Sequence, residues 1–347
     1  MPAPEKVVKR LRKFGRFLPA IFFLGGGVWD SLTLKRIDNP IDLSILGVYL
    51  LLAGVVVVLI GRKVSFRHSE YLPLVVQFCY GGLFSAFRVY YFKSTASLPS
   101  FLFMAVIVVL LVGNEFLQRG FQRVLLTFLF WSLACSMYLT FTLPVALHRM
   151  GLLVFLPTMG LSLAASALLG FASGLKPTRA LVPAGLLHAL LVVFYLTNVI
   201  PPVPLSKKHM GIFHQVVKID QDYFCTLVRQ KWHFFSQKSE RVFLYRPGDT
   251  VYCFSSIFAP AKLNTRVFHY WYHYDPGKRR YVLKNKMEYP LTGGREEGYR
   301  GYTYKRKVVP GKWRVKIKNE EKKTLGFINF VIRPTDRTEL DFIEVRH

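Results

Sequence analysis

The chain has 347 residues, 52% of them hydrophobic, with 47 Lys/Arg against 20 Asp/Glu and a formal net charge of +27. Its four cysteines form no C-x-x-C and are too few for a disulfide framework, which excludes a disulfide-stapled secreted scaffold. Apolarity and charge are segregated: residues 1–205 hold 18 Lys/Arg and 6 Asp/Glu, whereas residues 206–347 hold 29 and 14, a net +15 in the shorter part.

The first 200 residues read as a helical bundle. A membrane-spanning helix needs about 20 apolar residues. Segments near 18–34, 40–61, 71–92, 98–117, 124–144, 152–174 and 181–200 meet or approach that length, which predicts about seven spans. Pro19, Pro40, Pro73 and Pro99 fall in the first turns of the first four, where early N–H groups lack helical partners anyway. The first segment is short and holds Asp30. A cleaved signal peptide is its rival reading, but no small-residue cleavage site follows it.

Flanking charges predict orientation, because basic loops stay in the cytoplasm. The N-terminal stretch and the second-to-third, fourth-to-fifth and sixth-to-seventh connections carry 13 Lys/Arg, and the opposite short loops carry 4. The expected location is a bacterial inner membrane, with the N-terminus cytoplasmic and the C-terminal part periplasmic or extracellular. Residues 201–210, with Pro201, Pro202 and Pro204, read as a stiff proline-rich spacer.

Residues 211–347 change to an apolar period of two. The run 313–318 alternates strictly, with Trp313, Val315 and Ile317 on one face and Arg314, Lys316 and Lys318 on the other. It pairs with 326–332 as a hairpin. Further strands are expected at 223–228, 242–245, 250–258, 265–274, 280–287, 302–308 and 340–345, with a turn at Asp275-Pro-Gly-Lys278. The fold class that follows is an α-helical transmembrane bundle of about seven spans plus an all-β, immunoglobulin-like sandwich domain.

Several motifs then carry a resemblance. Pro201-Pro-Val-Pro-Leu-Ser206, Gly211-Ile-Phe-His214, Val251-Tyr-Cys-Phe254 and His269-Tyr-Trp-Tyr-His-Tyr-Asp275 lead to Gly298-Tyr-Arg-Gly-Tyr-Thr-Tyr304 and Gly311-Lys-Trp-Arg-Val315. With Gly25-Gly and the stretch 30–38, the chain resembles bacterial membrane proteins that carry the domain of unknown function 2914. The resemblance implies an envelope protein with an outward β-sandwich and implies no activity.

Candidate sites come in three groups. On strand 267–274, burial of the Trp271 face displays Tyr270, Tyr272 and Tyr274 as a platform for sugar rings or a partner chain. His269 and His273 lie about 13 Å apart along a strand, too far to share a metal ion, so no metal is expected. In the glycine-rich loop 293–302, Arg295 and Arg300 are placed to grip an anion, beside Tyr299 and Tyr302, or else to form a solvated structural loop. Within the apolar spans, Asp30, Arg88 and Glu115 are costly residues, accompanied by Tyr90, Tyr91 and Lys93. His188 reads as a hydrogen-bonded packing residue. Cys225 and Cys253 form a disulfide if their compartment is oxidising, or remain separate buried thiols.

No nucleophile or nucleotide motif is present, so no cofactor is expected and an enzyme is the less favoured class. The leading expectation is a membrane-tethered module whose sandwich binds an anionic glycan, lipid head group or envelope protein, with no nucleic-acid partner. The rival makes the bundle a transporter or membrane-embedded enzyme that uses Asp30 and Arg88.

Overall fold

A computed structural model of the chain describes residues 34, 38–95, 97–116, 123–220, 222–229, 238–260, 265–291, 298–336 and 339–347. Two compact units emerge. One comprises Met1–Phe92, Leu102–Leu143 and Leu152–Thr197; the other comprises Lys93–Phe101, Pro144–Gly151 and Asn198–His347.

The first unit is helical. Its elements are α1 (Pro40–Gly61), α2 (Leu72–Ser94, preceded by a 3-10 turn at Ser69–Tyr71), α3 (Leu98–Phe116), α4 (Val124–Leu147), α5 (Leu152–Ala172) and α6 (Pro177–Leu196). Helix α1 starts where the sequence dictates: Asn39 caps it by accepting from the Ile41 N–H at 3.1 Å, and Pro40 follows in the first turn. Among the described residues, five helices are long and apolar enough to cross a membrane, and α3 contributes a shorter apolar stretch, Leu98–Gly113. The expected first span at 18–34 lies outside the described residues.

The polarity of this unit is inverted relative to a soluble bundle. Large apolar side chains such as Leu51, Leu102, Val109, Leu153, Leu168 and Leu186 are exposed, while Ser132, Ser136, Ser162, Ser166 and His188 are buried. Those polar groups bond between helices. Ser132 meets Ser166 at 2.8 Å, Ser136 meets Ser162 at 2.8 Å, and both Ser136 and Ser162 reach His188 Nε2 at 3.1 Å. His188 Nδ1 lies 2.8 Å from the Ala184 carbonyl, which can only accept, so Nδ1 carries the proton and Nε2 accepts from a serine. Small hydroxyl residues thus let α4, α5 and α6 approach closely and supply their polar contacts. His188 is a packing residue, as its sequence context implies.

Among the described residues the second unit has eleven strands in three sheets, ordered β1-β5-β8, β4-β10-β9-β6-β7 and β11-β3-β2. They are β1 (Ser206–Phe213), β2 (Gln215–Ile219), β3 (Asp222–Val228), β4 (Val242–Tyr245), β5 (Val251–Phe258), β6 (Thr265–Asp275), β7 (Arg280–Leu291), β8 (Tyr299–Lys305), β9 (Gly311–Asn319), β10 (Thr324–Pro334) and β11 (Phe342–Arg346). The five-stranded and β1-β5-β8 sheets pack face to face. Their shared core holds Ile212, Val251, Cys253, Val267, Trp271, Trp313, Val315, Ile317 and Phe330. This is the expected sandwich, with an addition. The third sheet covers the other side of β1-β5-β8 through Phe213, Val216, Cys225, Leu227 and Phe254. The middle sheet is therefore buried on both faces, which is why β5 is buried at seven of its eight positions.

Cys225 and Cys253 are both free and buried, the second of the two alternatives that the sequence left open. They sit in different cores, on opposite sides of the middle sheet. Burial is the first cause that pushes both thiols up, Cys225 to about 12 with the Glu344 carboxylate adding to it. The proline-rich stretch packs into the β unit. Ile200, Val203 and Leu205 are buried, and Leu205 joins the main core, so the β unit begins at the prolines.

Candidate anion-binding face

The outer face of the five-stranded sheet carries the most distinctive chemistry. Strands β6 and β9 are antiparallel neighbours, with Phe268 opposite Lys318, Tyr270 opposite Lys316 and Tyr272 opposite Arg314. Trp271, Trp313, Val315 and Ile317 point into the core, so parity sends Phe268, Tyr270, Tyr272 and Tyr274 outward with Lys312, Arg314, Lys316 and Lys318. The side assigned to the tyrosines from the sequence is correct.

Their display is partial, since Tyr272 and Tyr274 are half-buried. Tyr270 is 8% exposed and Phe268 is 9% exposed, because basic side chains lie over their rings. Lys286 of β7 sits 4.0 Å from the Phe268 centroid, and Lys318 sits 4.9 Å from Tyr270. Lys316 lies 5.6 Å from Tyr272, Lys312 lies 5.7 Å from Tyr274, and Arg314 lies 4.2 Å from Tyr281. Each contact is a cation–π pair worth about 0.5–1 kcal/mol at an exposed site. The rings serve as a bed that holds the cations, and the ammonium and guanidinium heads form the outer layer.

These cations are not neutralised locally. Among the described residues, no carboxylate forms an ion pair with Lys312, Arg314, Lys316 or Lys318, and Glu288 is engaged by Arg266 at 3.6 Å. Arg314 donates to the Asn329 side chain at 2.7 Å. Burial of the stems, then Lys318 and Arg314, hold the Lys316 ammonium below its usual range, and burial and then Lys322 do the same to Lys318. Like charges on neighbouring strand positions cost stability. Central strands need no lysines for edge protection, so the sequence accepts this repulsion for another reason.

The other described sequence candidates make contacts within the β domain. Arg300 is half-buried and donates to the His347 carbonyl, with Asp222 at 3.6 Å. Tyr299 is buried in the main core, and Tyr302 packs against Tyr252 and Tyr223. Arg295 lies outside the described residues, as does Asp30. The described glycines of that loop lie close against protein. Gly298 has φ +85°, and a Cβ there would meet the Ile257 carbonyl oxygen at 2.8 Å; a Cβ on Gly301 would meet the Tyr289 ring at 2.6 Å. Gly298→Ala is accordingly expected to cost about 2 kcal/mol through backbone strain, read as a lowered unfolding midpoint with unchanged secondary structure.

Beneath the face lies a buried polar chain. Tyr289 bonds Ser255, which is 2.9 Å from His269 Nε2; His269 Nδ1 is 2.8 Å from Thr303 Oγ1, which also accepts from the Trp271 indole at 3.1 Å. His269 is fully buried and burial holds it down to about 3, so it is a neutral hydrogen-bonding residue. His273 instead rests on Trp313, and His214 stacks on Phe243 at 3.9 Å and faces Glu240 at 3.4 Å. Among the described residues no group of three His, Cys, Asp or Glu side chains is arranged to hold a metal ion.

In the helical unit, Tyr91 is buried against Phe103 and Phe141, and Arg88 is half-buried on the same helix. Lys93, near the end of that helix, is half-buried too. Glu115 falls in the last turn of α3, and its side chain lies outside the described residues.

The chain thus joins a helical region of apolar helices to a layered β domain with a basic outer face. Within the latter, residues 264–332 match the family described as Protein of unknown function (DUF2914), as the sequence resemblance led one to expect. No curated protein matches the chain. Among solved structures, an immunoglobulin-like protein from Pseudomonas aeruginosa is 12% identical, covering 38% of this chain and 98% of its own, with a TM-score of 0.23. A beta-glucosidase from Listeria innocua is 12% identical over 32% of this chain and 16% of its own, TM-score 0.20. An alkylpurine DNA glycosylase from Pseudomonas fluorescens is 12% identical over 86% of this chain and 99% of its own, TM-score 0.23. Similarity at these scores carries no argument about activity.

Proposed function

We propose that this chain is a membrane-tethered envelope protein of about seven spans whose immunoglobulin-like sandwich, on the outer side of a bacterial inner membrane, binds an anionic envelope component by charge. The observation that carries the reading is the outer row Lys312, Arg314, Lys316 and Lys318, bedded on tyrosines and unpaired with any described carboxylate. Because Tyr270 is covered and basic side chains overlie Tyr272 and Tyr274, the ligand is recognised through its anionic groups rather than by stacking on sugars. Membrane insertion is supported by five sufficiently long apolar helices with exposed apolar and buried polar residues. The outward orientation is supported by the loop-charge asymmetry. It is also supported by the membership of one compact unit, which groups the sparsely charged connections Lys93–Phe101 and Pro144–Gly151 with Asn198–His347.

The test uses the full-length protein in discs of neutral lipid, titrated with a glycerol-phosphate polymer, dextran sulfate and vesicles of phosphatidylglycerol. Binding of at least one probe at low salt, weakening steeply as NaCl rises, is expected. No binding of any of them at 20 mM salt would overturn the reading.

A further inference from the structure

The cations of the outer face lie in a line, and a line has a repeat distance. Lys312, Arg314, Lys316 and Lys318 occupy alternate positions of β9, so they follow one another at about 7 Å along a row about 20 Å long. The strands on both sides are neutral where they face it. On β10, Val331 stands opposite Lys312, Asn329 opposite Arg314 and Phe327 opposite Lys316. On β6 the neighbours are Phe268 and the tyrosines. Lys286 of β7 widens the row at its Lys318 end, where it overlies Phe268. The row also ends. Strand β9 starts at Gly311, just before Lys312, and at the Lys318 end Arg266 gathers the Glu320 and Glu288 carboxylates at 3.2 and 3.6 Å.

A bilayer surface or a globular acidic partner presents charge in two dimensions and is met by cations spread over several strands. A chain polymer presents it in one. Two residues of a strand comprise six backbone bonds, which sets the repeat of about 7 Å. Two phosphorus atoms joined through three carbons and two ester oxygens are also six bonds apart, so an extended polymer of that kind carries one negative charge at about the same repeat. Each phosphate then meets an ammonium or guanidinium in a charge-assisted hydrogen bond. The ammonium heads are already positioned by rings, Lys318 on Tyr270, Lys316 on Tyr272 and Lys312 on Tyr274, so less side-chain freedom is lost on binding. Single-stranded nucleic acid has the same six-bond repeat, but proteins hold it by stacking its bases on open aromatic rings. Here basic side chains overlie those rings.

We propose that the basic face binds a linear phosphodiester polymer with three carbons between phosphates, of the glycerol-phosphate type, extended along β9 with one phosphate at each of Lys312, Arg314, Lys316 and Lys318. This rests on the reading of the face as an anion site, and adds to it a ligand shape, a repeat and a length of four phosphates.

The experiment measures the affinity of the full-length protein, in discs of neutral lipid at low salt, for glycerol-phosphate oligomers of increasing length. A ribitol-phosphate oligomer, with five carbons between phosphates, and a thymidine oligonucleotide are compared with the glycerol chain at equal charge. Affinity is expected to rise about fivefold per phosphate up to four, and beyond four to gain no more than the statistical factor for extra registers. The ribitol and thymidine oligomers should bind at least about fivefold more weakly than the matching glycerol chain. Lys312→Gln removes the exposed cation at one end of the row and should move the plateau from four phosphates to three, a shift that a loss of fold would not produce. An affinity that keeps rising at the same rate beyond four, equal affinity for glycerol and ribitol chains, a tighter thymidine complex or an unmoved plateau in Lys312→Gln would overturn the proposal while leaving the face an anion site. Binding of phosphatidylglycerol vesicles without binding of the oligomers would do the same. No binding of any oligomer, of dextran sulfate or of the vesicles would overturn both readings.

Discussion

Replacing Lys312, Arg314, Lys316 and Lys318 together by Gln is expected to lower affinity for the anionic probe about 1,000-fold while leaving the domain folded. Each basic group near an anionic surface contributes about 1 kcal/mol, and about 1.4 kcal/mol is a factor of ten in affinity. Four lost contacts therefore reach about three powers of ten, and the remaining binding should lose most of its salt dependence. Stability should change little, because two terms oppose one another. The cation–π contacts with Tyr270, Tyr272, Tyr274 and Tyr281 are lost, and the mutual repulsion that depresses Lys316 and Lys318 is relieved. A companion variant, Tyr272→Leu with Tyr274→Leu, separates charge from stacking. It should retain most of the binding; if it loses as much as the Gln variant, the rings contact the ligand and the bed-of-rings account is wrong.

The second large effect is acid destabilisation centred on His269. The side chain is neutral in the folded state, held down to about 3 by burial, and titrates near 6.5 when unfolded. Below pH 6.5 the unfolded chain binds a proton that the folded one does not, so stability falls as the pH drops toward 3. From pH 6.5 to 4 this amounts to about 3 kcal/mol at 1.36 kcal/mol per unit. His209 adds a second contribution over the same range. It is held at about 4 by burial first, then by His347, Lys238 and Lys207. Denaturant unfolding of the full-length protein at several pH values reads the slope. His269→Gln keeps a neutral side chain able to bond Ser255 and Thr303 and should remove about half of it. An unchanged slope would mean that His269 is not the titrating group.

The features of the β domain that could be read from the sequence are those set by one-sided burial. Strand β9 alternates because Trp313, Val315 and Ile317 face one core while Lys312, Arg314, Lys316 and Lys318 face water. The β9–β10 hairpin, β4 and the turn at Asp275, where the carboxylate accepts from the Lys278 N–H at 3.1 Å, follow from the same local rules. Trp271 likewise fixes which way Tyr270, Tyr272 and Tyr274 point. What covers those tyrosines depends on strand order, because Lys286 arrives from β7 and Lys318 from β9, and order across a sheet leaves no local trace.

Strand β1 of the middle sheet and strand β2 of the third were hidden for a related reason. Strand β1 mixes Lys207, Lys208 and His209 with the fully buried Ile212 and Phe213, and β2 is largely exposed, so neither shows a clean period. Cys225 and Cys253 show the same limit: both read as buried thiols, but whether they meet is decided by which face of which layer each occupies.

The passage of one strand from sheet to sheet also has a mechanical consequence. Strand β1 pairs antiparallel with β5 from Ser206 to Phe213 and continues at His214 into β2, whose partner is β3. Tension entering the β domain from its N-terminal side runs along β1. The hydrogen bonds to β5 then lie across the pull and must be sheared together, instead of opening one after another like a zipper. The same strand carries load into the outer sheet. A β domain entered along a strand in this way resists being peeled apart from its N-terminal end.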